Sequence, residues 1–242
     1  MIGMFRQVFG IAVMCFKGIQ RQPLWIVQSI MAASGLTLAL FAWGSTHALE
    51  NLVLAYFIAG SWALGLNLVG QTIGWERVYH VYDSNVASSI TLPIYFLGLV
   101  MGHLPYFLVN VTMSIVIAII VGMGLLSLLP LLLVSVVSTI LGAFLALSAI
   151  LRLKNPTNIS SITNPLVTLT TILPPVYYPL YFLPPLVREA SLAMPTVSLM
   201  EVARLVTNTP ATCNPILSIA SLLSWLTICT VLVLRKLKWG SQ

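Results

Sequence analysis

Long apolar stretches separated by short polar segments follow one another along most of the chain. Six of them cover about residues 24–46, 52–74, 102–125, 131–151, 159–174 and 212–234. A helix needs about 20 mainly apolar residues to cross a bilayer. The pattern therefore predicts an all-α integral membrane protein with six transmembrane helices, in a single domain over residues 1–242. The fifth stretch is short, which is typical of a discontinuous helix.

The segment 173–207 is too apolar for water and too rich in proline for one helix. A proline inside a helix removes an amide hydrogen and clashes with the preceding turn. The prolines stand at Pro174, Pro175, Pro179, Pro184, Pro185 and Pro195. Broken backbone persists at membrane depth only where protein or a water-filled cavity satisfies its polar groups. We therefore predict an outer re-entrant segment before the last span, a feature typical of a transport path or a gate.

The first 22 residues predict an amphipathic helix on the inner membrane surface. At 100° per residue its basic side chains fall on one side and a set of apolar side chains on the other. The basic set is Arg6, Lys17 and Arg21, and the apolar set is Met4, Val8, Ile11 and Cys15. An irregular cytosolic tail is the alternative.

The loop 75–93 is the one sizeable polar segment predicted on the inner side. Asp83 or Ser84 can cap a short helix over residues 85–92, and Pro93 would end it. The polar residues of this loop are Glu76, Arg77, His80, Asp83, Asn85 and Ser88. They form either a docking surface or a solvated connector.

Composition and charge agree with a membrane protein. The chain is 59% hydrophobic and 7% charged, with a mean hydropathy of +1.01, whereas a soluble domain has roughly a quarter charged residues. The net charge of +6 comes from basic residues at span ends and not from a nucleic-acid-binding stripe. With a cytosolic N-terminus, nine basic residues lie inside and only Arg188 and Arg204 outside, which places both termini in the cytosol. The nine are Arg6, Lys17, Arg21, Arg77, Arg152, Lys154, Arg235, Lys236 and Lys238.

Motifs for independent chemistry are absent from the sequence. There is no G-x-x-x-x-G-K-[ST] phosphate loop, no G-x-S-x-G elbow and no H-E-x-x-H zinc pair. The predicted spans contain no Asp or Glu, which proton- or sodium-driven carriers generally place there. We therefore expect no catalytic residue, no metal site and no cofactor.

Two sets of polar side chains recur at helical spacing within predicted spans. The second span carries Asn67 and Gln71, and the fifth carries Asn164, Thr168 and Thr171. Buried amides need partners in hydrocarbon, so these faces should point to protein or water. They either line a translocation path or form hydrogen bonds between helices.

The segment 173–207 also carries charges. Arg188 is followed by Glu189, and Glu201 lies three positions before Arg204, so that the latter two can pair on one helical face. The pair is either a gate latch or an interfacial ion pair.

These features together resemble the type-2 ATP-binding-cassette export permeases over nearly the whole chain. The most specific parts are the stretch 76–102, with its acidic start, Leu92-Pro93 and later glycine, and the block FLPPLVREASLAMPTVSLMEVARLV. The block resembles the family's pattern of a proline, a polar turn, a second proline and a closing arginine. In this chain these are Pro184 or Pro185, Pro195 and Arg204.

The resemblance implies the membrane-spanning subunit of an ATP-driven exporter in the cell membrane. It would form a homodimer or pair with a similar permease, and a separate cytosolic ATPase would dock on the helix of the loop 75–93. Residues of the segment 173–207 would form the outer gate: Pro184, Pro185, Arg188, Pro195, Glu201 and Arg204. The alternatives are a scaffold that moves no solute, a secondary transporter without an ATPase, and a membrane enzyme with an unfamiliar site.

Overall fold

The computed structural model describes residues 2–21, 23–88, 90–153 and 158–235, and these residues form helices without any β-strand. Three basic residues used to predict the orientation, Lys154, Lys236 and Lys238, lie outside the described residues. The helices are α1 (Ile2–Gln20), α2 (Leu24–Trp43), α3 (Thr46–Ala63), α4 (Gly70–Val78), α5 (Val81–Ala87), α6 (Leu92–Val121), α7 (Leu129–Ile150), α8 (Ile159–Thr171), α9 (Pro185–Ser191), α10 (Pro195–Val206) and α11 (Pro215–Leu234).

Four helical stretches of the described chain are long and apolar enough to cross a membrane. They are Thr46–Val78, Leu92–Val121, Leu125–Ile150 and Pro215–Leu234, and they coincide with the second, third, fourth and sixth predicted spans. The first predicted span corresponds to α2, whose apolar part is the shorter Ile26–Ala42. The fifth corresponds to α8, which has 13 residues and a length of only about 20 Å. The protein is therefore a membrane-embedded helical bundle.

The second span is the centre of this bundle. α3 and α4 are joined without a break by a π-helical segment, Leu64–Val69, into one helix of 33 residues whose most apolar part is 83% buried. It packs against α6, α7, α8 and α10. The helix extends beyond the predicted bounds 52–74 at both ends, so that it includes Glu50 and Glu76.

Small residues let the central helix and α7 approach closely. A Cβ atom on Gly65 would lie 2.0 Å from the carbonyl oxygen of Thr139, so no larger residue fits there. Thr139 Oγ1 donates to the carbonyl of Ser61 at 3.2 Å, and Ser138 Oγ donates to that of Ile58 at 3.1 Å. Close backbone approach and hydroxyl-to-carbonyl bonds stabilise helix pairs in hydrocarbon, where burial of apolar surface does not.

α1 packs along the first half of α6. Cβ atoms on Gly98 and Gly102 would lie 2.6 Å from Ile11 Cβ and 2.5 Å from Cys15 Cβ, so these glycines make the contact possible. Ile11 is buried, while Arg6 and Lys17 are exposed. The helix predicted for residues 1–22 is therefore present as α1, and its contact with α6 buries part of the apolar side predicted for it.

The segment 173–207 is broken into short helices at its prolines. A 3₁₀ turn, Leu180–Phe182, follows Pro179, and Pro185 and Pro195 stand in the first turns of α9 and α10. A proline is tolerated in the first helical turn because its missing amide hydrogen would have no partner there. The interruptions predicted from the prolines are therefore confirmed, and α10 is largely buried.

The bundle has two ends, which we name after the helices that lie there. At the α5 end, Tyr82, Tyr95, Val233 and Ile11 share one buried cluster with residues from the ends of α4 and α7. At the α10 end, Asn51 contacts Arg204. Asn51 and Glu76 are 25 positions apart on one continuous helix, a distance of about 38 Å along its axis. The central helix therefore connects the two ends directly.

Candidate functional sites at the two ends of the bundle

The loop 75–93 carries the predicted short helix, but the helix lies earlier in the chain. It is α5, Val81–Ala87, and not residues 85–92. Its start follows from His80, whose left-handed backbone (φ 58°) separates it from α4, and Asp83 lies in its first turn instead of capping it. Pro93 stands in the first turn of α6 and does not end the short helix.

The carboxylate of Glu76 holds α5 against the bundle. Glu76 is only 8% exposed. It accepts hydrogen bonds from Tyr95 Oη on α6 and from Asn85 Nδ2 on α5, the latter at 3.2 Å. The sequence predicted that Glu76 and Asn85 belong to a docking surface. In the structure their hydrogen bonds instead connect α4, α5 and α6.

Two further aromatic contacts hold α5 against the bundle. Tyr82 is buried and meets the ring of Tyr95 edge to face, with centroids 6.4 Å apart. The guanidinium of Arg77 lies 5.8 Å from the Tyr82 ring centroid, within the range of a cation–π contact. Burial raises the pKa of Tyr82, while Arg77 opposes that rise, so the phenol is neutral near neutral pH. Neither Tyr82 nor Tyr95 was predicted from the sequence to be part of a site.

The outward side of α5 is polar and accessible. His80 Nδ1 lies 3.0 Å from Asp83 Oδ2, and both side chains are more than two-thirds exposed. The neighbouring exposed residues are Arg77, Tyr79, Val81, Ser84, Ala87 and Ser88. Four of the predicted docking residues, Arg77, His80, Asp83 and Ser88, therefore share the surface that we call the α5 face.

Cys15 of α1 also lies close to Glu76. Burial, and secondarily the nearby carboxylate of Glu76, raises the pKa of the Cys15 thiol to about 12. The thiol is therefore neutral and packs as a small apolar group beside α6. Three helices, α1, α5 and α6, thus meet around Glu76.

The two predicted polar stripes meet in the structure. Gln71 Nε2 donates to Thr163 Oγ1 at 2.5 Å and lies 3.3 Å from Asn164 Oδ1. It also lies 3.4 Å from Asn67 Oδ1, while Ser160 Oγ donates to Gln71 Oε1 at 3.4 Å. Thr163 and Ser160 were not predicted, because only the fold brings α8 against the second span.

The stripe is only partly covered by protein. Asn164 and Thr168 are exposed, and Asn67 and Gln71 are half-buried. Thr171, which sequence reasoning placed on the same face, is buried and donates to the Val167 carbonyl at 2.8 Å. The exposed polar stripe therefore consists of Asn67, Gln71, Asn164 and Thr168.

A buried ion pair organises the α10 end. Arg204 Nη1 donates to Glu201 Oε1 at 2.7 Å, as their spacing predicted, with the residues 5% and 1% exposed. Glu201 Oε2 also accepts from the backbone amides of Thr212 and Cys213 at 2.9 and 3.0 Å. Both partners are thus hydrogen-bonded as well as paired, the condition under which a buried pair is tolerated.

The ion pair extends to the central helix. Arg204 Nη2 donates to Asn51 Oδ1 at 2.6 Å, and Asn51 Nδ2 donates to the Val176 carbonyl at 3.0 Å. Burial lowers the pKa of Arg204, and Glu201 opposes that shift. Asn51 was missed by sequence reasoning because its partner is 153 positions away. The cluster ties α3, the 173–184 stretch, α10 and the loop just before α11 together.

The other predicted gate residues are not part of the ion pair, although the Arg188 carbonyl accepts a weak hydrogen bond from Cys213 Sγ at 3.9 Å. Pro184 and Pro185 start α9, and Pro195 starts α10. Arg188 is on α9, where its Nη2 donates to the carbonyls of Leu183 at 3.2 Å and Tyr181 at 3.3 Å. Among the described residues, no three His, Cys, Asp or Glu side chains form a group that could hold a metal ion.

Neither the family models nor the curated proteins identify a relative of the chain: no family model matches it, and no curated protein matches it. The chain's own residues and their geometry are therefore the basis of the functional proposal.

Proposed function

We propose that the chain is the membrane-spanning permease subunit of an ATP-driven exporter of the type-2 ATP-binding-cassette class. It lies in the cell membrane with both termini in the cytosol. α2 and α8 complete six spans, α1 lies on the inner surface, and the segment 173–207 enters the outer leaflet and returns. The bundle supplies the translocation path, and a separate cytosolic ATPase supplies the energy.

The observation that carries this proposal is the attachment of α5 to the central helix. The exposed α5 face sits on a helix that is hydrogen-bonded through Asn85 to Glu76, near the C-terminal end of Thr46–Val78. A partner that binds and moves α5 would therefore act directly on the most buried span. The same span contacts Arg204 at its other end, so motion at the ATPase would reach the outer segment.

The exposed polar stripe supports a role in translocation. Amides and hydroxyls are costly to expose to lipid because hydrocarbon offers them no hydrogen-bond partner. Asn164 and Thr168 are exposed in the single chain, so they face either water or protein in the membrane. A second permease, identical or similar, placed against this side would enclose the stripe in a central cavity.

The driving force must come from another chain in this proposal. The sequence contains no phosphate loop, and nucleotide can favour one conformation only if the ATPase binds it better in that state. Two ATPase copies on two α5 faces would then alternate the permease pair between inward-open and outward-open states.

Copurification from native membranes tests the proposal. The tagged chain should retain a protein with a G-x-x-x-x-G-K-[ST] motif, and His80→Ala/Asp83→Ala should lose it. His47→Ala/Glu50→Ala is a matched control, because His47 and Glu50 form an exposed pair with the same spacing and a 3.1 Å contact away from the α5 face. Retention after the first change, or equal loss after the control, contradicts the docking surface. A retained ATPase whose hydrolysis responds to no added lipid, drug or peptide favours the scaffold.

A proton-coupled carrier is the second candidate, and a specific observation favours it. Glu76 lies within a continuous spanning helix and is buried, and buried carboxylates in spans are typical of proton-driven transport. The purified chain alone in liposomes separates the two functions. Solute movement driven by a pH gradient without ATPase, abolished by Glu76→Gln, supports the carrier and contradicts the exporter.

A further inference from the structure

A pocket of about 130 Å³ lies between α9 and the start of α11. It is separate from the polar stripe and from the α5 face. Its lining includes Arg188 and Glu189 of α9 together with Cys213, Asn214 and Leu217. Two opposite charges on consecutive residues therefore border one cavity.

Neither charge is neutralised by another residue of the described part of the chain. Among the described residues, Arg188 and Glu189 have no oppositely charged partner within 4.0 Å, and they do not pair with each other. Arg188 uses only Nη2, for two backbone carbonyls, and its Nε is buried without a hydrogen-bond acceptor. Nε is closed off from the pocket, but no described residue accepts a hydrogen bond from Nη1. Arg188 thus has donor capacity left for a ligand.

The surroundings of the pocket are those of a membrane interface. It lies at the N-terminal end of Pro215–Leu234, a 20-residue apolar helix long enough to span. Headgroups lie at the ends of spans, and hydrocarbon lies beside their middle. Leu186 and Ile216 next to the pocket are 82% and 75% exposed. A ligand here would meet a charged cavity and an apolar surface together.

We propose that this pocket binds the zwitterionic headgroup of a phospholipid with a primary ammonium, such as phosphatidylethanolamine. The guanidinium of Arg188 donates to the phosphate, and the carboxylate of Glu189 accepts from the ammonium. The acyl chains follow the exposed apolar side of α11. The site does not depend on the ATPase, so the test of lipid binding can fail or succeed whatever the test of the export function shows.

Lipid titration of the detergent-purified chain, read by native mass spectrometry, tests the site. The lipids are phosphatidylethanolamine, phosphatidylcholine and phosphatidylglycerol, with inorganic phosphate and soluble phosphoethanolamine as headgroup probes. Phosphatidylethanolamine should bind roughly tenfold or more tightly than phosphatidylglycerol, which lacks the ammonium. Arg188→Gln should weaken all three lipids, because each has a phosphate. Glu189→Gln should remove the preference for phosphatidylethanolamine and leave binding of the others.

Matched charge changes elsewhere control for general effects. Arg6→Gln removes an exposed arginine of α1, and Glu50→Gln removes a carboxylate of α3; neither residue lines the pocket. Both should bind lipid as the unchanged chain does. The proposal is overturned if Arg188→Gln binds phosphatidylethanolamine undiminished, if the controls lose binding equally, or if inorganic phosphate alone protects the chain from heat as well as the lipid does. The thermal midpoint of each variant in phosphatidylcholine shows whether it is folded.

Discussion

Arg204 donates a hydrogen bond from Nη2 to Oδ1 of Asn51 at 2.6 Å, which joins α10 to the start of the central helix across 153 positions of sequence. The same guanidinium pairs with Glu201 at 2.7 Å. Arg204 and Glu201 both lie on α10, so a shift of α10 relative to α3 would leave the ion pair intact and break the hydrogen bond to Asn51. The Arg204–Asn51 bond therefore helps to hold α10 on the central helix.

Removal of Arg204 should destabilise the chain more than removal of the whole ion pair. Arg204→Met leaves Glu201 charged, buried and unpaired, and we expect it to lower the free energy of unfolding by roughly 3–5 kcal/mol. The double change Glu201→Met/Arg204→Met removes both charges and should recover part of that loss. Chemical unfolding in detergent, followed by circular dichroism, measures both. Equal loss in the two variants would show that the pair adds only packing.

The Tyr95 hydroxyl should control the mobility of α5. Tyr95→Phe leaves the buried Glu76 carboxylate without one donor, which costs roughly 1–3 kcal/mol. We expect faster amide hydrogen exchange across α5 and reduced retention of any partner bound at its face. Tyr79→Phe is the control, because Tyr79 is exposed. If exchange in α5 rises no more in Tyr95→Phe than in Tyr79→Phe, Glu76 does not hold the helix.

The hydrophobic pattern predicts the spans but not the side-chain partners. The length of the apolar stretches predicted the four helices that are long enough to span, and the prolines predicted the breaks before α9 and α10. The spacing of Glu201 and Arg204 predicted their pairing because both lie on one helix. Asn51, Thr163 and Tyr95 gave no such signal, since their partners lie on other helices and are brought near only by folding. Glu76 was interpreted as a surface residue for the same reason.

Gly65 should tolerate no larger side chain. A Cβ there would lie 2.0 Å from the Thr139 carbonyl oxygen, so Gly65→Ala must push α7 away and should cost roughly 1–3 kcal/mol. Gly35→Ala in α2 is a matched control, because a Cβ there meets nothing within 4 Å. Alanine's higher helix propensity should leave that variant as stable as the parent or up to about 1 kcal/mol more stable. Thermal midpoints in detergent compare the two, and a neutral Gly65→Ala would contradict the close packing of the central helix on α7.

Cys15 should react slowly with alkylating reagents near neutral pH. Its pKa is raised from 9.0 to about 12, and only the thiolate reacts. In a Cys213→Ser/Cys229→Ser chain, the rate with N-ethylmaleimide at pH 8 should be about a thousandfold below that of an ordinary thiol, and it should keep rising with pH past 9. Since the folded chain holds this proton more tightly, the free energy of unfolding should fall as the pH rises from about 9 to about 12. Glu76→Gln removes the carboxylate that contributes to the raised pKa of Cys15, so it should speed the reaction. An ordinary reaction rate in the parent chain would show that Cys15 is not packed on α6.

Water access to the polar stripe separates a translocation path from a lipid-facing surface. In a chain without native cysteines, Asn164→Cys and Thr168→Cys should react quickly with a charged, membrane-impermeant thiosulfonate, because the proposed translocation path would expose the stripe to water. Leu169→Cys is the matched control, because Leu169 is apolar and 51% exposed on the same helix, α8. A cysteine at this position would face hydrocarbon, where thiolates do not form. It should therefore react at least roughly tenfold more slowly than the cysteines of the stripe. If the three positions react equally slowly, the stripe meets no water and does not line a path; Asn164 then faces either lipid or a second copy of the chain. Disulfide cross-linking of Asn164→Cys between two copies would identify an interface with a second copy, because only a symmetric dimer brings identical positions together.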